Sequence, residues 1–273
     1  MPSPRQVFDE SIRPAELLVR VYRLLECERI ETGGALMDKL RPLVGAAHDE
    51  DLLLVANDIF LGLIRENAQM PSGALKRVAL DNLLRQAVVA ACTGLDTYLP
   101  SLLRANLPLV IAAQGRQFFP QDPDLQLYFK DLTFDLTETV GLLNRPDAPD
   151  YLAGRIRSHI KGAYLSSKKG IHIVGALLQL DKPWDRIAGH LGRDRKELMT
   201  VLEDTTTRRN DIVHRADRAQ SDPEGPIREI NFPWTSQAVE TIKVVCMALD
   251  DLVKARMVEL TAEIQQRAQE GLA

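Results

Sequence analysis

Leu84, Val88, Ala91, Leu95, Tyr98, Leu99 and Leu102 recur at three- and four-residue intervals, one unbroken apolar stripe on a helix predicted over about 74–105. A stripe of that length must be covered by other helices, so it commits the chain to helix-on-helix packing. The same period runs through most of the sequence. It predicts helices over 14–29 (Leu17, Leu18, Val21, Leu24 and Leu25 on one face, Pro14 in the first turn), 35–45, 49–68, 125–143, 150–165 and 171–181. After Pro183 it predicts a short helix, a turn at Gly192 and a long helix from Asp194, an N-cap with Glu197 three residues on. A last helix covers about 234–267. Pro100 should bend or end the first part of the helix it stands in. Stretches such as IREINF are too short to build a sheet. The expected fold is all-α, a helical bundle over 71–273 with a helical insertion at about 106–180, preceded by an N-terminal helical region over 1–70.

Composition narrows function only at its edges. Aromatic residues are 5% of 273, a bias against strands, and the formal charge of −4 offers no global field to nucleic acid. Any such contact must come from a local patch. Cys27, Cys92 and Cys246 form no CxxC pair, which reads as free thiols in a reducing compartment and no zinc site. No apolar run approaches a membrane span and no signal peptide is visible, so the expectation is a cytoplasmic protein without membrane contact. His48, His159, His172 and His190 lack metal-ligand spacing, and no P-loop, GxGxxG or GxSxG occurs. The segment 184–202 has the outline of a helix-turn-helix. Glu197, Glu203 and Asp204 on its second helix oppose DNA phosphates.

The informative anomaly is in TTTRRNDIVHRADR, residues 205–218. On an ideal helix, Arg209 falls at about 20° from Leu198, in the centre of the apolar set Leu198, Leu202, Ile212, Val213 and Ala216. An unpaired buried guanidinium costs several kcal/mol. Arg209 therefore needs a carboxylate opposite it, for which Asp96 is the candidate, or a face that borders a cleft or subunit seam. His214 falls at about 160°, among Asn210, Asp211, Asp217 and Arg218, groups able to orient an imidazole for proton transfer.

Arg209-Asn210-x-x-x-His214, late on a helix with one long helix following, resembles the signature of the HEPN superfamily. Residues 87–104, with Asp96, Tyr98 and Leu99, are similar to the long early helix of HEPN ribonucleases, the closest subgroup being the RiboL-PSP-HEPN type. The likeness covers about 74–105 and 184–265. It implies metal-independent RNA cleavage, without a cofactor, by a homodimer whose two motif helices meet. Arg209, His214 and Asn210 would be catalytic, with Asp96 and Asp211 in support. Arg208, Arg215 and Arg218 would bind substrate, and the five Lys and Arg of 151–169 would help to track the RNA. A toxin-like or antiviral setting with an inhibitory partner protein is the matching context. The competing expectations are a non-catalytic HEPN-like module that binds RNA or a partner protein, and an all-α regulatory protein that binds no nucleic acid.

Overall fold

The computed structural model describes residues 2–26, 28–29, 34–48, 52–56, 58, 61–65, 77–115, 118, 125–126, 129, 131–143, 145–160 and 165–271. Its first helix, α1 (Pro4–Leu25), begins ten residues before the predicted start. The reason is local. Ser3 accepts from the Gln6 amide at 3.2 Å while the Gln6 side chain accepts from the Ser3 amide at 2.8 Å, with Pro4 at the first helical position. Pro14 therefore lies inside the helix. The buried face is shifted from the predicted one: Phe8, Ile12, Ala15 and Tyr22 are buried, Leu18 and Leu25 pack half-buried against the core, and Leu17 is 61% exposed.

The largest difference lies in residues 52–65. The helix expected over 49–68 is replaced by strands β2 (Leu52–Ala56) and β3 (Leu61–Arg65), an antiparallel pair that β1 (Glu28–Arg29) extends. Short apolar runs such as LLLVA and LGLIR satisfy either period, and cross-strand pairing decides between them. The N-terminal region is thus a helix followed by α2 (Gly34–Leu40), a 3-10 turn over Arg41–Val44 and a small sheet, not a purely helical arm.

The remaining elements among the described residues are helices, as expected. Among the described residues, α3 (Arg77–Gln114) and the last helix, α9 (Phe232–Gln269), have 38 residues each, about 57 Å at 1.5 Å per residue. Pro100 and Pro108 do not end α3. Between the two long helices come α4 (Leu136–Leu143), α5 (Ala148–Ile160), α6 (Lys168–Leu177), α7 (Pro183–Leu191) and α8 (Arg195–Arg215). Helix α4 is shorter than the predicted 125–143 because Asp135 caps it, accepting from the Glu138 amide at 2.7 Å. No helix among the described residues is long and apolar enough to cross a membrane.

The main core joins α1, α3, α5, α6, α7, α8 and α9. At its centre Phe8 meets Tyr98 edge-on at 5.3 Å, and the Tyr98 hydroxyl donates to the Cys246 carbonyl at 3.0 Å, tying α3 to α9. A smaller cluster of Tyr22, Leu80, Leu84, Val88 and Ile230, with Ile212, Phe232 and Trp234 against it, closes the end of the bundle where α8 finishes. That end carries the motif.

The α6–α7 turn is packed against a glycine. A Cβ on Gly175 would lie 2.6 Å from Cβ and Cγ of Pro183, a ring that cannot swing aside. Gly175→Ala is therefore expected to destabilise the protein by about 1–3 kcal/mol, despite the ~1 kcal/mol that alanine gains over glycine within a helix. Urea unfolding checks this, and an unchanged or raised midpoint would show that the turn opens freely.

Candidate active site

Helix α8 starts where the sequence places it, with the Asp194 carboxylate accepting from the Glu197 amide at 2.8 Å. The Glu197 side chain does not return the bond but accepts from Arg193 at 2.9 Å. Leu198, Leu202 and Thr205 are buried along its length. One turn later the apolar face reaches α3, and there Arg209 is met by a carboxylate. Its Nη2 donates to Asp96 Oδ2 at 2.9 Å, and its Nη1 to Asn210 Oδ1 at 3.0 Å. The side chains of Arg209 and Asp96 remain 24% and 34% exposed, so the pair is reachable from solvent. The Arg209 Nε is buried and has no hydrogen-bond partner among the described residues.

A cleft of about 10 Å³ adjoins this guanidinium, lined by Cys92, Ser166, Thr206, Arg209 and Asn210. That is the room one water needs, well short of a phosphate group. Cys92 is not a nucleophile at neutral pH. Burial pushes its thiol up to about 12, although Arg209 pulls the other way and only Asp96 adds to the rise. Ser166 and Thr206 were not singled out in the sequence, because nothing local shows that the end of the basic 151–169 segment folds back onto α8.

His214 is exposed, and among the described residues it has no hydrogen-bond or ion-pair partner. The acids expected to orient it are engaged elsewhere. Asp211 accepts from Arg215 at 2.6 Å and from Arg228 at 2.7 Å. Asp217 is fully buried and accepts from Arg85 Nε at 2.8 Å, from Arg208 Nε and Nη2 at 3.1 and 3.0 Å, and from Arg228 at 3.2 Å. The cause is the helix end. Ala216 and Asp217 both take positive φ, 52° and 63°, so α8 stops at Arg215 and Asp217 turns inward. For the same reason Ala216 leaves the stripe it would occupy on a continued helix and is exposed. Val213, also expected in the stripe, is 52% exposed beside His214.

The predicted substrate-binding arginines separate in consequence. Arg208 is a structural post, stacked 4.9 Å over the Trp234 ring and bonded to Asp217 and to the Glu229 carbonyl. Arg215 and Arg218 each spend one donor internally, on Asp211 and on the Gly225 carbonyl. In the basic segment, Arg155 faces Glu138 at 3.5 Å and Lys168 faces Glu203 at 2.5 Å, while Lys161 lies outside the described residues. No hydrogen bond joins Arg209 to His214, and His214 does not line the cleft. Comparison with family models, with curated proteins and with solved structures finds no match to the chain.

Proposed function

We propose that the protein is a metal-independent endoribonuclease whose site is completed when two copies bring their α8 ends together. The observation that carries this reading is the division of labour along α8. Arg209 donates both to Asn210 and to Asp96, the latter a solvent-reachable pair, while His214 stands exposed and unengaged among the described residues, beside exposed Val213. An imidazole without internal partners on a partly apolar surface is suited to complete a site across a two-fold axis, where each residue meets its counterpart.

In that arrangement the RNA 2′-hydroxyl oxygen attacks the adjacent phosphorus and the bond to O5′ breaks. One His214 takes the 2′-hydroxyl proton, and the other protonates the departing O5′. Arg209 stabilises the charge that builds on the phosphorane oxygens, with Asn210 and Asp96 fixing its plane. The products are a 2′,3′-cyclic phosphate and a 5′-hydroxyl, and DNA, which lacks the nucleophile, is not cut. Because the cleft in one protomer is smaller than a phosphate, the scissile group approaches the exposed edge of Arg209.

Labelled RNA incubated in EDTA tests the reading, together with sedimentation of the protein. Cleavage leaving cyclic phosphate ends, by a dimer, is expected, and a strictly monomeric enzyme that cuts would remove the composite site. Arg209→Lys keeps the charge and loses the planar fork. Its kcat/KM is expected to fall about tenfold or more, short of the ~10²–10³ that loss of an oxyanion donor costs. Undiminished activity would strip Arg209 of its role. The separation of Arg209 from His214 within one protomer also fits a helical module that binds RNA or a protein without cutting; the RNA binder predicts RNA retention with no cyclic ends, and the protein binder predicts neither.

A further inference from the structure

Around Asp211 and Asp217, four guanidiniums share two carboxylates. Arg85 and Arg208 converge on Asp217, Arg215 on Asp211, and Arg228 bridges both. The cluster therefore holds two more positive than negative charges. Asp222, Glu224 and Glu229 on the following loop are exposed, and among the described residues none of them pairs with these arginines. Asp81, one turn before Arg85, forms no ion pair with it either. The excess charge is not spread evenly. Arg85 and Arg208 are 9% and 16% exposed, whereas Arg215 and Arg228 are 34% and 36% exposed. Each of these two keeps guanidinium donors without a described partner, Nη2 and Nε on Arg215 and Nη1 on Arg228. Arg218 joins them through a turn, its amide donating to the Arg215 carbonyl at 3.1 Å. The Arg228 amide donates to the Asp217 carbonyl at 3.0 Å, so the loop carries Arg228 back to the end of α8. Arg215 and Arg218 follow His214 directly in the chain.

We infer that Arg215, Arg218 and Arg228 form a phosphate-binding ledge for the RNA backbone flanking the cut, with Arg228 as its centre. The inference rests on the RNA reading above. Half-buried charges in excess of their counter-ions favour an anion that supplies the missing negative charge, and a phosphodiester chain supplies it repeatedly. The buried carboxylates hold Arg215 and Arg228 and the Gly225 carbonyl holds Arg218, so less rotamer entropy is lost on binding.

The test uses the full chain and a fluorescent 2′-O-methyl oligoribonucleotide, which has backbone phosphates but no free 2′-hydroxyl and stays intact. The slope of log K against log salt is measured for the wild type, Arg215→Gln, Arg228→Gln and Arg193→Gln. Each ledge variant is expected to reduce the slope by about 0.7, the value of one single-strand phosphate contact. Arg193, about 30 Å away at the other end of α8, is the control and leaves the slope unchanged. Arg228→Gln also loosens the buried cluster, so its melting temperature is measured alongside. Arg215→Gln leaves Asp211 held by Arg228 and carries the test if the other variant fails to fold. Wild-type slopes in both folded variants overturn the ledge, as does wild-type binding that is indifferent to salt. Cleavage of unmodified RNA with unchanged slopes rejects the ledge and keeps the nuclease. Reduced slopes without any cleavage reject the nuclease and keep the ledge.

Discussion

Replacing His214 by alanine is expected to abolish RNA cleavage while leaving the melting temperature where it was. The two halves of this result come from different observations. The side chain is exposed and, among the described residues, without hydrogen-bond or ion-pair partners, so its removal costs the fold no more than a surface change, within about 0.5 kcal/mol. Its assigned work is proton transfer, and loss of a general acid or base lowers the rate by about 10²–10⁴-fold. In a symmetric dimer both roles disappear together, which places the loss at the upper end of that range. Labelled RNA in EDTA gives the rate and calorimetry gives the stability. Residual cutting equal to the wild type would end the catalytic assignment. A collapse of the melting temperature would mean that His214 serves the fold instead.

Asp217→Asn is expected to act in the opposite way, on stability first. The carboxylate is fully buried and accepts from three arginines. Asparagine has nearly the same shape and tolerates the positive φ of this position, so the backbone is not newly strained. What changes is charge: four guanidiniums would face the Asp211 carboxylate alone. Removing one partner of a buried ionic cluster costs about 3–5 kcal/mol. Urea unfolding should show a lower midpoint with an unchanged slope. Inorganic phosphate should return part of the loss, because an anion at the ledge replaces some of the missing charge. A change below about 1 kcal/mol would show that the cluster relaxes around the neutral amide.

Arg209 was conspicuous in the sequence because one charge stood in an otherwise apolar stripe, and Asp96 was nameable as its counter-ion because it edges the stripe of α3. The partner that Arg208 finds in Asp217 is hidden from the sequence for a local reason. A helical wheel assumes that the helix continues, and α8 stops at Arg215. Beyond that point the two left-handed residues swing Asp217 under the bundle, where it gathers Arg85, Arg208 and Arg228. Strands β2 and β3 are not legible in the sequence because five-residue apolar runs carry too few periods to separate helix from strand.

The helical class, most helix positions and the cap at Asp194 are legible in the sequence, because they depend on contacts within about four residues along the chain. Which of the other charges meet depends on how distant segments converge. Arg85 finds Asp217 across 132 positions. Such pairs form where separate helices happen to converge, and the energy of burying an ion selects the partner only once the backbone has brought both within reach.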